Sequence, residues 1–331
     1  MTRDEILQLA APDAEMLESL KQAPPPGSPP QDLEAFRKLT QGGTKATLEA
    51  IGQPPPGVLE KDIKIPVRDG TTIPARVVAP EQAPPHGSPL VVFFHGGGFC
   101  MGDFRDETPC ARSFAQALKT VTVLVGYRLA PEHPFPTGID DAYDALKWAA
   151  ANCEQLNAKP SAGFVVGGVS AGGNAAAVLA HLARDDKLSP SLTGQILIIP
   201  TVLDAEVVPQ KYQAEYLSQE QNKDAPFIPK PIQDMFMGHY KPDLSSPKYV
   251  PFNHPRGHAE LPKAYFQVCG MDPLRDDSLI YEKVLREECG IETRLDLYKG
   301  LPHHFWVLFP ALRAAEKQRQ DLVAGLEWIL K

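Results

Sequence analysis

Five short segments of the chain are apolar with almost no polar alternation: PLVVFF (89–94), TVTVLV (120–125), GFVVGGV (163–169), GQILII (194–199) and KAYFQVC (263–269). A strand that is apolar on both faces must be covered on both, so these segments predict a mainly parallel sheet flanked by helices. One such helix is legible over 138–152, where Ile139, Tyr143, Leu146 and Ala150 recur every three to four residues. Ahead of the sheet segments, LEKDIKIPVRDGTTIPARVVAP (59–80) predicts two strands joined at Asp69-Gly70, a pair that readily supplies the left-handed conformations of a tight hairpin. The alternation of strands and helices gives an α/β fold class and excludes a helical bundle or an all-strand sandwich.

Two stretches depart from this rhythm. Residues 1–22 place Ile6, Leu7, Ala10, Met16, Leu17 and Leu20 at near-helical spacing. They predict a short helix that ends in a stiff turn at Pro24–Pro30, because proline cannot continue the helical hydrogen-bond ladder. Helix is expected to resume over 31–50, before Pro54–Pro56. After Pro200 about 50 residues turn Gln-, Lys- and Pro-rich, with aromatic anchors at Tyr212, Tyr216, Phe227, Phe236 and Tyr240, too long for an ordinary connection. The expected organisation is an N-terminal helical cap portion (1–57), a first part of the core (58–202), an inserted cap portion (203–250) and a second part of the core (251–331).

Composition narrows the function. The 331 residues, 43% of them hydrophobic, provide for one large domain or two ordinary ones. With 33 Lys and Arg against 41 Asp and Glu, the formal charge is -8 and no basic run stands out, which argues against a nucleic-acid partner. Cys100, Cys110, Cys153, Cys269 and Cys289 are odd in number and show neither a paired motif nor zinc-ligand spacing, as in a reduced cytoplasmic protein. Asp4, Glu5, Asp13 and Glu15 crowd the N-terminus where a secretory segment needs a basic start and an apolar core. The most apolar interior run falls short of the roughly 18 residues of a membrane helix, so no membrane insertion is expected.

The chemistry concentrates in a few strand ends. In GFVVGGVSAGGN a buried strand runs into Gly168-Val169-Ser170-Ala171-Gly172 and then a small-residue helix. A serine between glycines at such a turn sits at the apex of a strained bend with its hydroxyl above the sheet. A phosphate cradle fits less well, since neither Gly-x-Gly-x-x-Gly nor a Walker lysine is present. His95-Gly96-Gly97-Gly98 follows the strand VVFF, and glycines in series let backbone amides point at a negatively charged atom. Gly97, Gly98 and Ala171 are therefore candidate donors to the oxyanion of a tetrahedral intermediate, with His95 clamping the loop.

A serine nucleophile needs a histidine base and an orienting carboxylate, here in the order Ser, acid, His. Asp272 follows the strand AYFQVCG, and both His303 and His304 lie after the strand RLDLY; both loops reach the carboxyl edge of the sheet. His254 and His258 lack a third ligand pattern, so no metal site is expected.

At this point the sequence resembles the hormone-sensitive-lipase-like family of α/β-hydrolases, capped carboxylesterases. The resemblance rests on HGGGF (95–99), YRLAPEHPFP (127–136), GVSAGGN (168–174), DPLRDD (272–277) and GLPHHFW (300–306), in that order. It implies an α/β-hydrolase fold with a helical cap, and Ser170 as nucleophile, Asp272 as orienting acid and His303 as base. Gly97, Gly98 and Ala171 become the oxyanion amides, and no cofactor is implied. Val169 stands where the family commonly has Asp or Thr, and His304 where relatives usually have glycine. Asp276 and Asp277 are read as loop or helix-end charges, and Arg128, Glu132 and Asp140 as supports of the turn after YRLAPEH.

The implied activity is hydrolysis of short-to-medium acyl esters through an acyl-enzyme. HGGGF and GVSAGGN resemble those of fungal versiconal hemiacetal acetate esterases, which makes a secondary-metabolite ester a candidate substrate. Phe99, Phe104, Phe227, Met235, Phe236, Met237, His304 and Trp306 are candidate pocket walls. Aryl-formamide or lactone hydrolysis on the same fold, and a non-catalytic small-molecule receptor, are the alternatives. A monomer, or a homodimer paired through the sheet edge near the C-terminal strand, is expected.

Overall fold

The computed structural model describes residues 1–22 and 32–331. Its centre is one eight-stranded sheet built from β1 (Val58–Pro66), β2 (Thr72–Pro80), β3 (Leu90–Phe94), β4 (Val121–Val125), β5 (Phe164–Val169), β6 (Gly194–Ile198), β7 (Lys263–Cys269) and β8 (Thr293–Tyr298). The strand order is β1-β2-β4-β3-β5-β6-β7-β8. β1 and β2 pair antiparallel, as do β2 and β4, and every pairing from β4 onward is parallel. Each of the five apolar segments is a strand, and β3 to β6 are buried along their whole length. That is what two covered faces require of a parallel sheet.

The α-helices are α1 (Arg3–Gln8), α2 (Ala14–Gln22), α3 (Leu33–Ile51), α4 (Thr108–Leu118), α5 (Thr137–Ala151), α6 (Ala171–Asp185), α7 (Ser218–Gln221), α8 (Lys230–Tyr240), α9 (Arg275–Lys283), α10 (Phe305–Leu308) and α11 (Arg313–Leu330), joined by short 3-10 and π-helical turns. Two apolar cores follow. One joins Ile139 and Leu146 of α5, Leu179 of α6 and Ile280 of α9 to alternate strand residues. The other joins Phe114 of α4 and Leu322, Leu326 and Ile329 of α11 to the remainder. The period seen over 138–152 is thus the buried face of α5.

Two local expectations change. Residues 1–22 form two helices rather than one, parted at Pro12, because Asp13 caps the second by accepting from the Met16 N–H (2.9 Å) and donates its own N–H to Gly300 O (3.1 Å). The β1–β2 connection contains Asp69-Gly70 but is five residues long, not a tight two-residue turn. Val67 N–H bonds to Thr71 O, Asp69 accepts from Thr71, and Gly70 takes the positive φ of 84°. The expected turn at Pro24–Pro30 lies outside the described residues.

α3 and α8 meet beside the loop that leaves β3. Phe36 and Phe236 pack edge to face at 5.8 Å. The Arg37 guanidinium donates to Cys100 O (2.7 Å), Ala130 O (2.6 Å) and the Glu132 carboxylate, so one side chain ties α3 to two loops. No helix among the described residues is long and apolar enough to cross a membrane.

Candidate active site

β5 passes into α6 through Ser170, whose φ of 56° and ψ of -114° belong to a strained turn. Its flanking glycines are sterically required. A Cβ on Gly168 would lie 2.3 Å from Gly172 O, and one on Gly172 would lie 2.1 Å from Phe94 O. Ser170 N–H donates to Ile198 O (2.8 Å), which pins the bend to the end of β6. Ser170 is left partly exposed at this bend.

His303 Nε2 lies 3.0 Å from Ser170 Oγ, and His303 Nδ1 lies 2.7 Å from Asp272 Oδ2. Asp272 and His303 are buried. The other carboxylate oxygen of Asp272 accepts from Leu274 N–H at 2.8 Å. An ionised carboxylate only accepts, so the network assigns the proton to Nδ1 and leaves Nε2 as the acceptor facing the serine. Of the two histidines that the sequence left open by position, His303 is the one in contact with Ser170.

The HGGG loop is shaped for its glycines. Gly97 and Gly98 have φ of 118° and 58°. A Cβ on Gly97 would sit 2.1 Å from Met101 O, and one on Gly98 would sit 2.3 Å from the Phe236 ring. The N–H groups of Gly97, Gly98 and Ala171 have no hydrogen-bond partner among the described residues. His95 bonds to Gly96 O through Nδ1 (2.7 Å) and stacks on Tyr127 at 4.4 Å, while the Tyr127 hydroxyl donates to His95 O (2.8 Å). Burial pushes the His95 pKa down. Its contacts are those of a loop clamp.

The expected pocket residues divide. Phe227 stacks toward His303 (6.2 Å) and meets His304 edge-on (5.7 Å), and Trp306 meets His304 edge-on at 4.9 Å. Phe236 lies over Gly98. Phe99 is stacked on Tyr240 at 4.0 Å, and the Tyr249 hydroxyl lies 3.0 Å from the Met237 sulfur. Met235 packs against the core. Phe104 lies over Gly126, at the β2–β4 side of β3. A separate groove of about 830 Å³ runs between α3 and the loops at Met101–Arg105 and Arg128–His133. No triad residue and none of these eight side chains borders it.

Two supporting residues, Asn222 and Arg275, were not singled out by the sequence, whereas Asp276 and Asp277 were. Asn222 donates to Asp272 O (2.9 Å) and Gly270 O (3.5 Å). Buried Arg275 bonds to Gly270 O, Gln221 and Asp276. Asp276 accepts from Leu217 N–H (2.6 Å) and Ser218 N–H (2.7 Å), and Asp277 from Val202 N–H, Leu203 N–H and the Tyr216 hydroxyl. The two aspartates therefore act as loop supports, fastening the segment after β6 to the Asp272 loop. Asn222 gave no signal, being one amide in the polar run QEQN (219–222).

Arg128 pairs with Asp69 and buried Asp141, Asp140 with Arg68 and Lys248, and Glu132 with Arg37, an ionic brace for the turn after β4. His254 and His258 lie against buried His181 (His181 Nε2 to His258 Nδ1, 3.0 Å). Among the described residues no group of three or more His, Cys, Asp or Glu is placed to hold a metal ion.

A serine at a tight turn from a central parallel strand into a helix, with a carboxylate and a histidine brought to it from the exits of β7 and β8, is the arrangement of an α/β-hydrolase site. Comparison with known proteins agrees: residues 91–307 match the alpha/beta hydrolase fold family. Carboxylesterase NlhH of Mycobacterium tuberculosis is 36% identical over 85% of this chain and 87% of its own. Versiconal hemiacetal acetate esterase of Dothistroma septosporum is 34% identical over 73% and 74%. Among solved structures, vibralactone cyclase superposes with a TM-score of 0.90 at 34% identity, covering 98% of this chain and 96% of that one. The chain belongs to the alpha/beta hydrolase fold family, among the hormone-sensitive-lipase-like enzymes that its motifs resemble.

Proposed function

We propose that the chain is a serine carboxylesterase that cleaves short-to-medium acyl esters through an acyl-enzyme. The observation that carries this reading is the continuous hydrogen-bonded line Ser170–His303–Asp272 at 3.0 and 2.7 Å. His303 Nε2 takes the Ser170 proton as Oγ attacks the ester carbonyl, and returns it to the leaving alcohol. Asp272 holds the ring in the required tautomer and stabilises the imidazolium. The unpartnered N–H groups of Gly97, Gly98 and Ala171 receive the oxyanion, where each donor is worth about 3–4 kcal/mol. Water, deprotonated by His303, then releases the acid. Residues 1–57 and 203–250 act as the cap over this site, and the substrate is a small-molecule ester met in the cytoplasm.

Hydrolysis of p-nitrophenyl esters from acetate to dodecanoate, beside Ser170→Ala, tests the reading. Turnover that peaks at short chains and vanishes in the variant is expected; turnover that survives in Ser170→Ala overturns it. The likeness to vibralactone cyclase favours one second reading, in which the carbonyl attacked by Ser170 belongs to a lactone. Comparing a lactone with its open-chain ester under the same conditions separates the two.

A further inference from the structure

His304 is an imidazole of the site that neither the proposed mechanism nor the loop contacts made by His95 account for. It follows His303 directly and has φ 58° and ψ 30°, a left-handed conformation that glycine adopts without cost and a side-chain-bearing residue does not. Its ring stands between two aromatic edges, Phe227 at 5.7 Å and Trp306 at 4.9 Å, and its centroid is 6.4 Å from that of His303. Phe227 itself holds a φ of 80°. The imidazole is partly buried, yet neither of its nitrogens has a hydrogen-bond partner among the described residues.

The side of the scissile bond follows from the triad. The leaving oxygen collects its proton from His303 Nε2, while the carbonyl oxygen turns toward Gly97 and Gly98. The His304 ring, 6.4 Å from that of His303, lies near the group that hands the proton to the alcohol half of the ester. Burial and the neighbouring His303 push the His304 pKa down to about 3, so at neutral pH the ring has one N–H donor and one bare nitrogen acceptor. A hydroxyl can satisfy either. The flanking rings form an aromatic wall around this single polar group.

Building on the serine esterase reading, we infer that His304 is a specificity-determining residue that hydrogen-bonds a hydroxyl carried by an aromatic leaving group, so that the favoured substrates are esters of dihydric phenols. A site that holds an otherwise unpaired polar group discriminates against the analogue lacking its partner. Phe227 and Trp306 provide the edges against which the aryl ring packs.

The experiment compares phenyl acetate with 2-, 3- and 4-hydroxyphenyl acetate on wild type, His304→Gly and His304→Asn. Glycine relaxes the left-handed position, and asparagine tolerates it while keeping a donor and an acceptor. At least one hydroxyphenyl isomer is expected to exceed phenyl acetate in kcat/KM by about tenfold in wild type, the scale of one neutral hydrogen bond. That ratio should collapse in His304→Gly and recover in part in His304→Asn. A purely structural role would lower all four esters together and leave the ratio unmoved, which overturns the inference. A wild type with no preference for any isomer, or a preference that survives in His304→Gly, overturns it as well. Failure of the wild type on all four esters instead removes the esterase reading and the inference with it.

Discussion

Replacing Asp272 with asparagine asks whether the carboxylate sets the proton position on His303. Leu274 N–H donates to Asp272 Oδ1 at 2.8 Å, and Oδ2 faces His303 Nδ1 at 2.7 Å. An asparagine in this pose keeps its carbonyl toward Leu274 and turns its NH₂ toward the imidazole. The amide then donates where the carboxylate accepted, so His303 has to accept at Nδ1 and carry its proton on Nε2. That proton points at Ser170 Oγ, 3.0 Å away, and the ring can no longer take the serine's own. Forcing the wrong tautomer lowers kcat by about 10⁴-fold in the serine protease triad, equivalent to about 5 kcal/mol of barrier, and the same loss is expected here. Asparagine is isosteric, so the melting temperature should move by only a few degrees. The assay is kcat for p-nitrophenyl acetate from pH 6 to 9, beside thermal unfolding. Because the defect is a tautomer and not an ionisation, raising the pH should not restore the rate. A folded Asp272→Asn enzyme within tenfold of wild type would refute the argument.

Gly98→Ala places a Cβ 2.3 Å from the Phe236 ring at a residue with φ 58°; rotation of that amide should cost 10²- to 10³-fold in kcat, roughly the value of one oxyanion donor, and a variant of unchanged kcat would remove Gly98 from that role. Acid should destabilise the fold through its histidine cluster. Burial holds His181 at about 3 and His258 at about 4, below the unfolded value near 6.5, so the unfolded chain binds protons that the folded one does not. Their contribution is complete above pH 6.5 and is lost as pH falls toward about 4 for His258 and about 3 for His181. Between pH 7 and 5 each removes about 2 kcal/mol. Urea unfolding at the two pH values measures the sum, and His181→Gln should flatten the dependence.

The parallel sheet and its site were legible because both are written locally. Unbroken apolar runs announced β3 to β7, and glycines flanking Ser170 or following His95 announced turns where a Cβ has no room, 2.1 Å from Phe94 O at Gly172. Contacts across long sequence separations left no such trace. Arg37 reaches Cys100, Ala130 and Glu132, and its position in α3 reads as any exposed helix charge. Asn222 steadies Asp272 from 50 residues upstream. The break between α1 and α2 escaped because near-helical spacing survives a one-proline interruption, while the bond from Asp13 N–H to Gly300 O that anchors it spans almost the whole chain. Phe104 and Phe227 look equivalent in sequence, but only the second lies on the exit side of β7 and β8, beside His303.

Ser170, Asp272 and His303 hang from three exits of one sheet edge, after β5, β7 and β8, whereas the exit of β6 braces Ser170 through Ile198 O. The chain between β6 and β7 therefore carries none of these three, and it is there that the long segment with α7 and α8 enters. Substitutions there that keep Asn222, which bonds to Asp272 O, leave the spacing of Ser170, Asp272 and His303 set by the neighbouring strands. Its fastenings to Asp276 and Asp277 are made mostly by backbone amides, which any sequence supplies. The part of that segment held only through backbone amides is the part whose sequence can change without moving Asp276 or Asp277.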